Sequence, residues 1–133
     1  MGASIVVVSL MFADAAAADK DQYIFAPDAG SWEPTKVVFT PDSDGAVTAD
    51  TTEWRKLTGS INSVTTFQYT TDSDGTPAGA SWVAGTAATQ GTALVAGQLV
   101  TPTVPLKVAS LHGGATAKVC KGCLTVTLEK RHA

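Results

Sequence analysis

Runs of β-branched and aromatic residues that stop after a few positions at Gly, Pro, Asp or Ser recur along this whole chain. Such residues suit a pleated surface, whereas a helix needs apolar residues returning about every 3.6 positions over ten or more. That longer period is almost absent, so the pattern predicts many short strands. The first is Ile5 to Phe12, and Gln22 to Pro27 follows after ADAAAADKD, whose alanines would support one helical turn. The third, TKVVFT from Thr35 to Thr40, stops at Pro41, because proline lacks the amide donor and restricts its predecessor. Glu53 to Thr58, Val64 to Thr70, Ala80 to Ala88, Gly97 to Val104, Leu106 to Leu111 and Cys123 to Lys130 complete the set.

Two of these segments alternate cleanly enough to assign faces. In VTTFQYT, Thr65, Phe67 and Tyr69 share one side, which the aromatics mark as the buried one. In CLTVTLEK, Leu124, Val126 and Leu128 line one face. About eight short strands without a long helix point to an all-β fold, an antiparallel β-sandwich of jelly-roll or immunoglobulin-like type. At 133 residues the chain fits one domain spanning 1–133, long enough to bury about two-thirds of its unfolded surface. The repeated DSDG at 42–45 and 72–75 reads as turn chemistry used twice, since nothing around it recurs at a fixed period.

Charged residues make up 16% of the chain, against a usual value of about 25%. Sparse charge suits a protein covered by partners. The net charge of -3 and the scattering of nine Lys and Arg argue against nucleic-acid binding. The apolar run Ile5 to Phe12 is far shorter than the roughly 20 residues of a membrane span, and no Lys or Arg precedes Lys20 as a secretory signal would require. It is therefore read as a structural strand. A nearly continuous apolar run implies burial on both faces, in a central strand or against a neighbour, which makes Ile5, Val6, Val7, Val8 and Leu10 interface candidates.

The motifs that could carry chemistry fail on spacing or context, so the expectation is no enzyme, no catalytic residue and no cofactor. Asp42, Asp44, Asp50 and Glu53 fall at positions 1, 3, 9 and 12 of an EF-hand count, but Ala46 and Val47 stand where a ligand and the glycine belong. They remain weak metal candidates beside the plain reading of a surface turn. Cys120 and Cys123 bracket Lys121-Gly122; as a two-residue hairpin turn this would set the cysteines face to face, near enough for a disulfide. Free thiols, or half a zinc site completed by His112 and His132, are the alternatives. Each histidine reads as alone near a turn or terminus. Trp32, among Gly30, Ser31 and Pro34, reads as a loop residue; of Trp32, Trp54 and Trp82 it is the best candidate for exposure, to stack a sugar ring or to join an interface.

The segments SIVVVSLMFADAAAADKDQYIFAPDAGSWEPTKVVFTPD, AVTADTTEWRKLT, TALVAGQLVTPTVPL and CLTVTLEKR together carry a resemblance. In order, Val38 to Asp42, Val47 to Trp54 and Leu94 to Val100 resemble the V-x-F-x-P-D, V-T-A-D-x-x-x-aromatic and L-x-A-G-x-x-V steps of small β-rich decoration (cement) proteins of tailed bacteriophages. The resemblance implies a structural virion protein, made in the host cytoplasm. It would bind the major capsid protein on the capsid surface as a homo-oligomer, a trimer favoured, away from nucleic acid and membrane. The Cys120 to Cys123 segment departs from the group, so no role carries over to it. A carbohydrate-binding sandwich, or a head-fibre or tail component, is the competing reading.

Overall fold

A computed structural model of the chain describes residues 4–14, 19–41, 54–71, 82–85, 91–114 and 120–133. Its strands are β1 (Ile5–Asp14), β2 (Lys20–Ile24), β3 (Ser31–Pro41), β4 (Arg55–Ile61), β5 (Val64–Thr70), β6 (Trp82–Val83), β7 (Leu106–His112) and β8 (Cys120–His132), with no helix among the described residues. They form two four-stranded sheets, ordered β1-β8-β3-β6 and β2-β7-β4-β5, in which every neighbouring pair is antiparallel. The expected all-β antiparallel sandwich is what the chain forms.

The pairings nest. β4 pairs with β5, β3 with β6, β2 with β7 and β1 with β8, so the chain is one long hairpin wrapped into two layers. Its bend is Asn62-Ser63, both at positive φ, as the tight turn between twisted strands demands. Wrapping then brings β8 beside β3 and β7 beside β4. Eight strands arranged in this way are a jelly roll, which decides between the two sandwich topologies.

The core follows the two-residue period of a strand. Leu124, Val126 and Leu128 of β8, Val37 and Phe39 of β3, Leu57 and Ile61 of β4, Phe67 and Tyr69 of β5, and Leu106 and Val108 of β7 all point between the sheets. Phe39, Tyr69 and Trp82 form a chain of rings across the layers, with centroids 4.7 Å and 5.2 Å apart.

Three sequence expectations are corrected. β3 begins at Ser31, four residues early, because the register shift between Pro34 and Lys36 lets a buried proline sit in the strand without owing the ladder a donor. Trp32 is therefore a strand residue, not a loop residue. Gly97 to Val104 is not a strand: Gly97 turns at φ 83°, Thr101 and Val104 bond to each other around Pro102, and only Val100 bridges to Trp32. The Asp-rich turns at 42–45 and 72–75, the weak metal candidates Asp42, Asp44, Asp50 and Glu53, and most of Ala80 to Ala88 lie outside the described residues.

Candidate interaction surface

β1 is an edge strand, and its geometry can be read atom by atom. The Lys130 amide donates to the Ser4 carbonyl at 3.0 Å, so even-numbered residues bond to β8. Gln22 Nε2 donates to the Met11 carbonyl at 3.0 Å from β2 in the other sheet, so that carbonyl points away from β8. Both backbone groups of an antiparallel residue face the same way and alternate along the strand. Ile5, Val7, Ser9 and Met11 thus turn their amides and carbonyls to the open side.

The same residues carry the exposed side chains, Ile5 at 60%, Val7 at 59% and Met11 at 63%. Val6, Val8 and Leu10 lie half-buried against the core. The central-strand reading is therefore overturned: within the chain the apolar run packs one face on the core and turns the other outward, which leaves burial against a neighbour as an expectation. Trp32, offered as an exposed interface residue, is buried, with Nε1 donating to Asp28 Oδ1 at 2.9 Å.

Exposed edges template further pairing, and proteins usually guard them with brevity, charge or cover. Along β5, the Thr92 and Val95 amides donate to the Gln68 and Thr66 carbonyls at 2.8 Å each, so residues 91–95 lie over that edge. β6 is two residues long, and β2 opens on Lys20 and Asp21. β1 has ten residues, and no charge occurs from Ile5 to Ala13.

On the outer face of this sheet Cys123, Thr125 and Thr127 of β8 lie beside Val38 and Thr40 of β3, with charge at Lys36 in the row of Val7 and at Glu129 and Glu33 in the row of Ile5. Here the expected hairpin at Lys121-Gly122 fails. Cys120 and Cys123 both belong to β8, opposite Asp14 and Met11, which sets their Cα atoms about 10 Å apart at strand spacing. A disulfide needs less than about 7 Å. Cys123 is a free, half-buried thiol 3.7 Å from Thr125 Oγ1. Among the described residues no group of three or more His, Cys, Asp or Glu is placed to hold a metal.

Polar anchors hold the ends of the sandwich. Asp28 accepts from the Gly30 amide at 2.8 Å, from Trp32 Nε1, and from Lys130 Nζ at 2.6 Å. The Lys130 bond above all, then the Gly30 amide and Trp32, holds its carboxyl at about 2, below the ordinary 3.8. Glu33 is lowered by the Gly97 amide and then by Arg131, whose Nε lies 2.8 Å away. His112 is not alone: its Nδ1 lies 2.6 Å from Asp19 Oδ1, and this hydrogen bond lowers Asp19. Arg55, fully buried in the core-facing row of β4 with Nη1 3.4 Å from Ser110 Oγ, also lowers Asp19 through its charge. Sequence reading passed over Arg55, although it shares the two-residue period of Leu57 and Ile61.

Carboxyls whose folded values lie below their unfolded ones stabilise the fold above about pH 4 and lose that contribution as pH falls. For Asp28 the loss runs from 3.8 down to about 2. Asp28→Asn is expected to lower stability at neutral pH and to flatten the decline over that acid window. Urea midpoints at pH 7, 4 and 2.5 measure both, and parallel curves for variant and parent would refute the linkage.

The exposed aromatic pair is not the one expected. Trp82 is buried, and Trp54 is half-buried, with Lys56 Nζ 4.5 Å from its ring centroid. Tyr23 and Phe25 are the exposed rings, stacked at 6.3 Å and 29° beside β7. No protein family, curated protein or solved structure matches this chain.

Proposed function

We propose that the chain is a structural protein of a bacteriophage virion, a decoration (cement) protein that binds the outer surface of an assembled capsid and stabilises it. The observation that carries the reading is β1, a ten-residue edge without charge from Ile5 to Ala13, with apolar side chains and backbone donors turned outward. Jelly rolls host many functions, so the shell as partner is supported by the resemblance in the sequence and the mode of contact by the edge. Binding the mature lattice better than free subunits stabilises by mass action, and many equivalent sites make weak contacts sufficient.

A sugar-binding sandwich is the second reading, favoured by the exposed Tyr23 and Phe25 pair. The two part on one set of measurements. The decoration reading expects co-sedimentation with mature capsids, capsids that break at lower temperature without the protein, and no change on Phe25→Ala or with free glycans. A chain that stays in the supernatant and leaves capsid melting unmoved defeats it.

A further inference from the structure

We infer that two copies of this chain join edge to edge through β1, about a two-fold axis at Val7, into one continuous eight-stranded sheet. The interface is made of backbone, so its occupant must be an extended strand. Ile5, Val7 and Ser9 present their amides and carbonyls to the open side, whereas the Met11 carbonyl is already taken by Gln22. Centring the axis on Val7 uses the free set and omits Met11. Val7 then faces Val7 of the second copy, and Ile5 faces Ser9 of the second copy. Each such facing pair exchanges two hydrogen bonds.

The side chains favour a second copy as the occupant. A two-fold interface sets every residue against its own surface, so a charged strand would repel itself. β1 carries no charge from Ile5 to Ala13, and the rows it joins match. In the central row, Lys36 and Thr127 lead to Val7 on each side, which places the two copies of Lys36 five strand spacings, about 24 Å, apart. In the next row, Glu33 and Glu129 of one copy lead through Ile5 to Ser9 and Thr125 of the other. No like charges meet across the joined β1 strands. The outward faces of Ile5 and Val7 extend the contact on the surface of the joined sheet.

This inference does not rest on the capsid reading: it gives the backbone edge of β1 to a second copy and leaves a shell only the outward side chains of the joined sheet, and it predicts a two-fold pair where the sequence resemblance implied a trimer. The test is sedimentation equilibrium of the full chain across the micromolar range. The expected result is a mass rising to twice 13.6 kDa. Val7→Pro removes the outward amide while leaving the even-numbered ladder to β8 intact, as edge positions permit. It should weaken self-association at least tenfold with little change in melting temperature. Val7→Lys, which sets a charge against itself at the axis, should do the same. Hydrogen exchange should show the Val7 and Ser9 amides protected in the pair and released on dilution. A monomer at millimolar concentration, a trimer, or a pair indifferent to both substitutions overturns the inference. Protection of Val7 that arises only when capsids are added also overturns it, and leaves the proposed function standing.

Discussion

Tyr69→Ala is expected to destabilise the fold by about 3–5 kcal/mol, a large part of the roughly 5–15 kcal/mol a domain of this kind possesses. Tyr69 is fully buried on β5, and its ring is the middle member of the series Phe39, Tyr69, Trp82. Truncation removes the buried ring, leaves a cavity between the sheets, and breaks two aromatic contacts worth about 0.5–1.5 kcal/mol each beyond their area. Among the described residues β6 meets β3 at Val38 and Phe39 and through the Ala84 amide, which donates to the Val37 carbonyl at 3.0 Å, so the Trp82 ring packing against Tyr69 reinforces a short ladder. The melting temperature should fall by roughly 10–25 °C, and the near-ultraviolet signal of Trp82 should weaken. Tyr69→Phe keeps the ring and should cost far less. An alanine variant within about 1 kcal/mol of the parent would show that the ring series does not join the sheets.

Gly91→Ala should act on the opposite kind of feature, a place with no room. A Cβ at Gly91 would overlap the Gln68 carbonyl and lie 2.6 Å from Cζ2 of Trp82. One obstacle is backbone and the other a buried ring, so neither yields and residues 91–95 must lift from β5. The Thr92 and Val95 amides then lose the Gln68 and Thr66 carbonyls. A loss of about 1–3 kcal/mol follows from overpacking, and with it goes the cover on the β5 edge. Aggregation on mild heating, followed by light scattering, should therefore rise more than the stability loss accounts for. Solutions that stay as clear as the parent's at matched stability would mean that 91–95 does not guard the edge.

The sequence made legible much of what depends on neighbours two residues apart, but not Thr65, which is exposed while Thr66 is buried because the register shifts between Gly59 and Ser60 opposite them. Phe67, Tyr69, Leu124, Val126 and Leu128 were assignable to the core because the period of a strand is local and geometric. It could not tell a glycine that turns from one that makes room. Gly122 reads as a turn beside Lys121, yet it lies inside β8, where a Cβ would meet the Thr40 carbonyl and stand 2.8 Å from Cζ of Phe39. Trp32 failed for a related reason: Gly30, Ser31 and Pro34 look like a loop, while the bridge to Val100 and the pairing with Lys130 that make it a strand lie far along the chain. Hydrophobicity likewise marked β1 for burial without saying that half of its side chains face outward. The jelly-roll order, and with it which strand edge is left open among the described residues, is a property of long-range pairing and has no local signature.

The nesting of the strands also sets a clock. β1 pairs with β8 from Ile5 opposite Glu129 to Asp14 opposite Cys120, so the outermost pair of the hairpin joins the most distant segments. Contacts of such long sequence separation place folding among the slow, millisecond-to-second topologies. At typical synthesis rates, β1 leaves the ribosome on the order of ten seconds before β8 is complete, with its apolar residues and both backbone edges unmatched. The innermost hairpin, β4 and β5 around Asn62-Ser63, can form throughout that interval. Among the described residues, the edge strand with the fewest guards is thus also the one that waits longest for its partner, and slowing synthesis should raise the fraction of chains lost to aggregation.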